Sequence, residues 1–150
     1  MTIRYNDWQV TQRHAELVDE LKPSSLRPAQ VHQSIPGVVG KRINDSLREG
    51  TYLMPLGSEI GMVFSDLHDV NRRTLLVAAI GKTTTQSRDT PSLMLLAEAL
   101  RTAFADRRVV AMPGELYSSH DVAGYEIDDS LARRMDVIQI VLTTRFREDR

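Results

Sequence analysis

Residues 136–147 read Asp-Val-Ile-Gln-Ile-Val-Leu-Thr-Thr-Arg-Phe-Arg, and their alternation decides the fold class. Ile138, Ile140, Leu142, Thr144 and Phe146 fall on one side of an extended chain. Gln139, Val141, Thr143, Arg145 and Arg147 fall on the other. Successive side chains of a strand point to opposite faces, so this stretch has one face to cover and one to wet. That pattern predicts an α+β domain: an antiparallel or mixed β-sheet with helices packed mainly on one face.

Working back from this strand, Asp89-Thr90-Pro91 is a helix start, with a capping oxygen followed by a proline suited to the first helical position. The helix should run from Pro91 to about Asp106, on a stripe of Leu93, Leu96, Ala97, Leu100 and Phe104 widened by Met94, Leu95 and Ala99. Arg107 and Arg108 follow at the end where positive charge suits the helix dipole. Upstream, Thr74 to Ile80 is β-branched and apolar, and Ile60, Met62 and Phe64 alternate with Gly61, Val63 and Ser65. With the polar run Asp69 to Arg73 between them, the two stretches read as an antiparallel hairpin turning at 69–73. Short strands are expected at Arg108 to Met112, ended by Pro113-Gly114, and at Val122 to Ile127.

The first fifty residues read as a helical segment punctuated by Pro23, Pro28 and Pro36. Val10, His14, Leu17, Val18 and Leu21 make one helical face, and Pro23 ends it. Residues 24–33 are a connector. A second helix is expected from Pro36 to Arg48, with Val39, Ile43 and Leu47 on one side and Gly50 as its stop.

Composition bounds the function classes. A chain of 150 residues fits one domain, and its 41% hydrophobic content supplies a core. Only 5% of residues are aromatic, so that core is aliphatic. With no cysteine there is no disulfide, no thiolate nucleophile and no cysteine-based zinc site. A net charge of −1 draws the chain to neither nucleic acid nor an acidic membrane. The longest apolar run, Leu75 to Ile80, is far below the roughly 20 residues of a membrane helix, and the N-terminus carries no signal-peptide pattern. These features predict a soluble, unexported protein with no membrane partner.

Chemical motifs are sparse. Gly81-Lys82-Thr83 resembles the end of a phosphate-binding loop, but Leu76 stands where that motif needs glycine, and no helix starts at once. Asp66, His68, Asp69 and Asn71 carry metal-binding groups, yet they are also ordinary residues of a hairpin tip. Ser118-Ser119-His120-Asp121 contains the residue types of a hydrolytic triad without a nucleophile elbow. A small hydrolase or metal-dependent enzyme would have to converge Asp66, His68 and His120. Lys41-Arg42, Arg72-Arg73, Arg107-Arg108 and Arg133-Arg134 are interleaved with acids and lack the aromatics that stack bases, so no sequence-specific nucleic-acid binding is expected. The polar segments 81–90 and 113–121 are longer than usual connections. Thr83-Thr84-Thr85 favours extended backbone, which makes Lys82, Thr83, Thr84, Thr85, Gln86, Ser87 and Arg88 the candidate contacts with a neighbouring subunit.

A strand such as Thr74 to Lys82, a polar loop, the helix opened by Asp89-Thr90-Pro91 and a long closing strand ending Thr144-Arg145-Phe146 follow one another over Ile60 to Arg147. This succession resembles the tail-terminator and tail-completion proteins at the head–tail junction of tailed bacteriophages. The resemblance implies a non-enzymatic virion protein, assembled in the host cytoplasm, that forms a homo-oligomeric ring, typically a hexamer. Such a ring caps the tail tube protein and meets head-completion or neck proteins, with loops reaching to neighbouring subunits. It implies no cofactor, no metal and no catalytic residue. The N-terminal segment is longer and more broken than the single leading helix of that family.

Overall fold

The structure is a computed structural model, and it describes residues 5–39, 42–44, 46–81, 90–106, 112, 118–122, 126–128 and 135–149. Helix α1 spans Asp7–Leu21 and is followed by strands β1 (Ala29–Val31), β2 (Val38–Val39), β3 (Arg42–Ile43), β4 (Gly50–Val63) and β5 (Leu67–Gly81). Helix α2 spans Thr90–Phe104 and precedes β6 (Ser118–Val122), β7 (Glu126–Asp128) and β8 (Met135–Asp149). The main sheet runs β1-β4-β5-β8-β6, and β7 shares the last position by pairing with β8 beyond the end of β6. Only β1 is parallel to its neighbour, so the sheet is mixed, as the domain's α+β pattern predicts.

Helix α1 opens on a capping box, a feature additional to those expected from the sequence. The Asn6 side chain accepts from the Gln9 N–H at 2.8 Å while the Gln9 side chain accepts from the Asn6 N–H at 2.9 Å. This reciprocal box satisfies two donors that a helix start leaves open. At the other end Lys22 donates to the Val18 carbonyl, and Pro23 then bars continuation. Both helices cover the same sheet face. Leu17 and Val18 of α1 and Leu93, Leu96, Leu100 and Phe104 of α2 meet Leu53, Leu76, Ala78, Ile138, Ile140 and Leu142 in one core. Met94 and Leu95 are exposed, so the α2 stripe is narrower than its sequence suggests.

The opposite face is not wholly wet. Ile35, Val38 and Leu47 pack on Tyr52, Leu75, Val77, Ala79 and Val137, forming a second core over one half of the sheet. That cover is the segment expected to be a helix over Pro36 to Arg48, and it is instead the two-stranded sheet β2-β3 joined to irregular chain. Gly37 gives the reason. It sits at φ +89°, outside the helical region, and an added Cβ would lie 2.4 Å from the Leu47 backbone nitrogen. Among the described residues before β4 there are one helix and three short strands, not a helical segment.

The hairpin also differs from its expected form. Its turn is at Phe64 to Asp66, closed by Phe64 N–H donating to the Leu67 carbonyl at 2.7 Å. Residues 69–73, expected as the turn, lie inside β5. Their polar side chains are answered from β8: Asp69 stands opposite Arg147 and Asn71 opposite Arg145, with bonds of 3.1 and 2.8 Å. Nor are residues 60–64 a half-buried strand, because Ile60, Met62 and Val63 are all more than half exposed. Two register shifts, between Pro55 and Gly57 and between Ile60 and Val63, break the alternation. The expected strand over Val122 to Ile127 is two strands, β6 and β7, with 123–125 outside the described residues. The expected strand from Arg108 to Met112 also lies outside them, Met112 aside.

Gly37→Ala should lower unfolding free energy by at least about 2 kcal/mol, from the positive φ together with the backbone clash. Urea denaturation followed by tryptophan fluorescence measures this. A loss under about 0.5 kcal/mol, the size of a neutral surface change, would contradict the account.

Candidate functional site

Beneath α1, the sheet presents polar side chains instead of aliphatic ones, and these form a continuous buried chain. Thr11 and His14 come from adjacent turns of α1, Thr74 from β5, Thr144 from β8 and His120 from β6. The His14 ring lies between two hydroxyls, with Nδ1 2.8 Å from Thr74 Oγ1 and Nε2 2.8 Å from Thr144 Oγ1. Thr74 Oγ1 is also 3.0 Å from Thr11 Oγ1, and Thr144 Oγ1 is 3.1 Å from His120 Nδ1. Phe104 of α2 packs against both imidazoles, with ring centroids 5.4 Å from His14 and 6.1 Å from His120. Register produces this meeting: Thr144 stands opposite His120, and Thr74 is two residues along β5 from the partner of Thr144.

His14 is 1% exposed. Burial pushes its pKa down to about 3, with the nearby His120 and then Arg13 adding to the shift. The ring is therefore neutral in the native protein, and both its nitrogens are satisfied by hydroxyls. An imidazole on the apolar stripe of α1 is legible in the sequence; its two threonine partners lie 60 and 130 residues away and are not.

Next to this chain is a cluster of charge that the sequence disguises as one of four basic pairs. Arg72 donates to Asp7 Oδ1 at 2.9 Å, to Ser58 Oγ at 2.8 Å and to Glu148 Oε1 at 3.0 Å. Ser58 also hydrogen-bonds Asp7. One guanidinium thereby joins the start of α1 to β4, β5 and β8. Glu148 is only 4% exposed, and Arg72 is the cation that pairs with it inside the fold. On the other sheet face Arg147 bonds Asp69 and lies over the Phe64 ring, 4.3 Å from its centroid.

The residues proposed for an enzyme do not come together. Asp66 is in the exposed hairpin turn, where Ser65 bonds it, and His68 opens β5 opposite Glu148. His120 stands opposite Thr144, four residues along β8 from Glu148, about 14 Å at strand rise. Among the described residues no three His, Asp or Glu side chains form a group able to hold a metal ion. Ser118 to Asp121 are consecutive residues of β6, and alternation puts Ser119 and Asp121 on the face opposite His120. The expected subunit contacts Lys82, Thr83, Thr84, Thr85, Gln86, Ser87 and Arg88 lie outside the described residues. Among the described residues, no helix is long and apolar enough to cross a membrane.

The arrangement thus positions polar groups, most of them hydrogen-bonded while Arg72 Nε is buried without a partner, and the strongly shifted His14 is held inside the fold. No protein-family model and no curated protein matches the chain.

Two measurements follow from this geometry. Because His14 binds its proton far more weakly when folded than at its unfolded value of 6.5, its contribution is full above pH 6.5 and is lost as pH falls toward 3. Between pH 7 and 5 the chain should lose about 2 kcal/mol more stability than a His14→Gln variant, and equal losses would contradict the buried neutral ring. Arg72→Met should cost about 3 kcal/mol at pH 7 by stranding Glu148, with part of that recovered in Arg72→Met combined with Glu148→Gln. Thermal and urea unfolding of the four chains measures both terms.

Proposed function

We propose that this protein is a structural virion subunit at the head–tail junction of a tailed bacteriophage, acting in a homo-oligomeric ring that terminates the tail tube and joins it to the head. The observation that carries the reading is the far end of the β4–β5 ribbon. There Ile60, Met62 and Val63 are 57%, 65% and 52% exposed, beside the turn at Phe64 to Asp66. Apolar side chains clustered at the end of a ribbon suit a surface that another chain covers. A neighbour would meet these side chains and not extend the sheet. Pro55 lacks an N–H, and the two register shifts blunt the edge of β4 against a further strand.

The order of elements supports the same reading. The strand β5, the helix α2 and the long closing strand β8 follow one another in the order on which the resemblance rests. A ring closes when one patch meets a different patch on the next copy with a rotation that returns to the start. In this reading the hairpin end supplies one patch, and the Lys82 to Arg88 segment supplies a second contact. The tail tube protein and neck proteins would meet the faces of the ring.

Light scattering coupled to size-exclusion chromatography, with electron microscopy, should find closed rings. Ile60→Lys with Met62→Lys should shift the population toward monomer by at least tenfold in assembly constant, while changing monomer stability by no more than about 0.5 kcal/mol. Strictly monomeric behaviour of the unaltered chain at high concentration would overturn the ring. Neighbouring genes without capsid, portal or tail-tube products would overturn its place at the junction.

A further inference from the structure

On the sheet face turned away from the helices, side chains of β5 and β8 form a ladder whose third rung is open. Arg147 bonds Asp69 at 3.1 Å, and Arg145 bonds Asn71 at 2.8 Å. The next rung sets Arg73 opposite Thr143. Among the described residues Arg73 forms no hydrogen bond or ion pair, and its Nε is buried without an acceptor. A guanidinium keeps its charge at neutral pH whether or not it finds an acceptor. Arg145 lies diagonally across the strand pair, is exposed, and donates to Asn71 through its Nε. Glu59 and Asp121 are exposed on the outer strands of this face, opposite Asn71 and Thr143, and neither is ion-paired with these two arginines.

The following rung, Leu75 with Val141, begins the apolar part of the face. There Met54, Leu56 and Val141 pack at the margin of the second core and are only partly buried. One patch therefore joins half-covered aliphatic side chains to two cations that hold no carboxylate.

The hairpin end is its counterpart. Ile60, Met62 and Val63 are exposed there, and so is Asp66 at the turn, where Ser65 bonds it. The charged residues from 58 to 67 are Glu59 and Asp66, both acidic. Within one chain Asp66 cannot reach Arg73, since Leu67 and Arg73 are about 20 Å apart along β5 at strand rise. Two hairpin ends meeting each other would set acid against acid and close a two-fold pair, whereas a ring needs two different patches.

We propose that the hairpin end of one copy seats on this sheet face of the next. Its apolar side chains lie against Met54, Leu56 and Val141, and its Asp66 carboxylate accepts from Arg73 and Arg145. The seat presupposes the ring proposed for this chain and is, within it, the surface that receives the hairpin. Each copy gives one patch and takes the other, and Arg73 gains the acceptor that its own chain lacks.

The chain has no cysteine, so single cysteines report the contact without background. A Ser65→Cys chain mixed with a differently tagged Thr143→Cys chain and mildly oxidised should give the mixed disulfide dimer, in about tenfold excess over either self-pair. Arg73→Glu should weaken assembly about tenfold by light scattering, and adding Asp66→Lys to it should restore assembly in part, which a folding defect would not allow. If the unaltered chain forms rings and no disulfide joins residues 65 and 143, the seat is wrong while the ring stands. Rings that persist unchanged in Arg73→Glu also overturn it. If no ring forms, the seat and the ring fall together.

Discussion

Everything in this fold depends on the pairing of β5 with β8. Fifteen consecutive residues of each strand align without a shift, from Leu67 opposite Asp149 to Gly81 opposite Met135. The two strands are central in the sheet, and between them the chain builds α2 and the strands β6 and β7. Because side chains alternate across a strand, one unbroken register fixes which residues of both strands face the helices and which face away. A slip of a single residue would put Ile138 and Ile140 on the face opposite Leu76.

That register has different consequences at its two ends. Toward Gly81 and Met135 both faces are apolar and both are covered, by the helices on one side and by the Ile35 to Leu47 segment on the other. Toward Leu67 and Asp149 the cover thins, and the sheet is held by polar pairs: Asp69 with Arg147, Asn71 with Arg145, Arg72 with Glu148. The His14 chain marks the change between these regimes. It spans the aliphatic core and the charged cluster with groups that are buried but hydrogen-bonded, which is the condition for keeping polar atoms inside.

The distal sheet is polar and paired with β8 up to the hairpin turn, yet Ile60, Met62 and Val63 beside that turn are exposed, which is the feature the proposed docking rests on. The register shifts in β4 break its strict alternation next to these three residues.

What the sequence determined by itself is what local chemistry decides. Pro23 set the end of α1, and the stripe from Leu93 to Phe104 made α2. The alternation from Ile138 to Phe146 declared a strand with one covered face, and hence the α+β class. Tertiary structure alone decided the rest. Asp69 to Arg73 has the composition of a turn and becomes strand only because Arg145, Thr144 and Arg147 arrive opposite it, more than seventy residues later. Pro36 to Arg48 has helical spacing, yet Gly37 must let the Leu47 backbone approach, a contact no local pattern encodes. His14 reads as one more member of an apolar stripe until β5 and β8 bring Thr74 and Thr144 to its two nitrogens. Caps and periodicity act over a few residues and can be read in order, whereas the partners of a buried polar group are chosen by the sheet that assembles them.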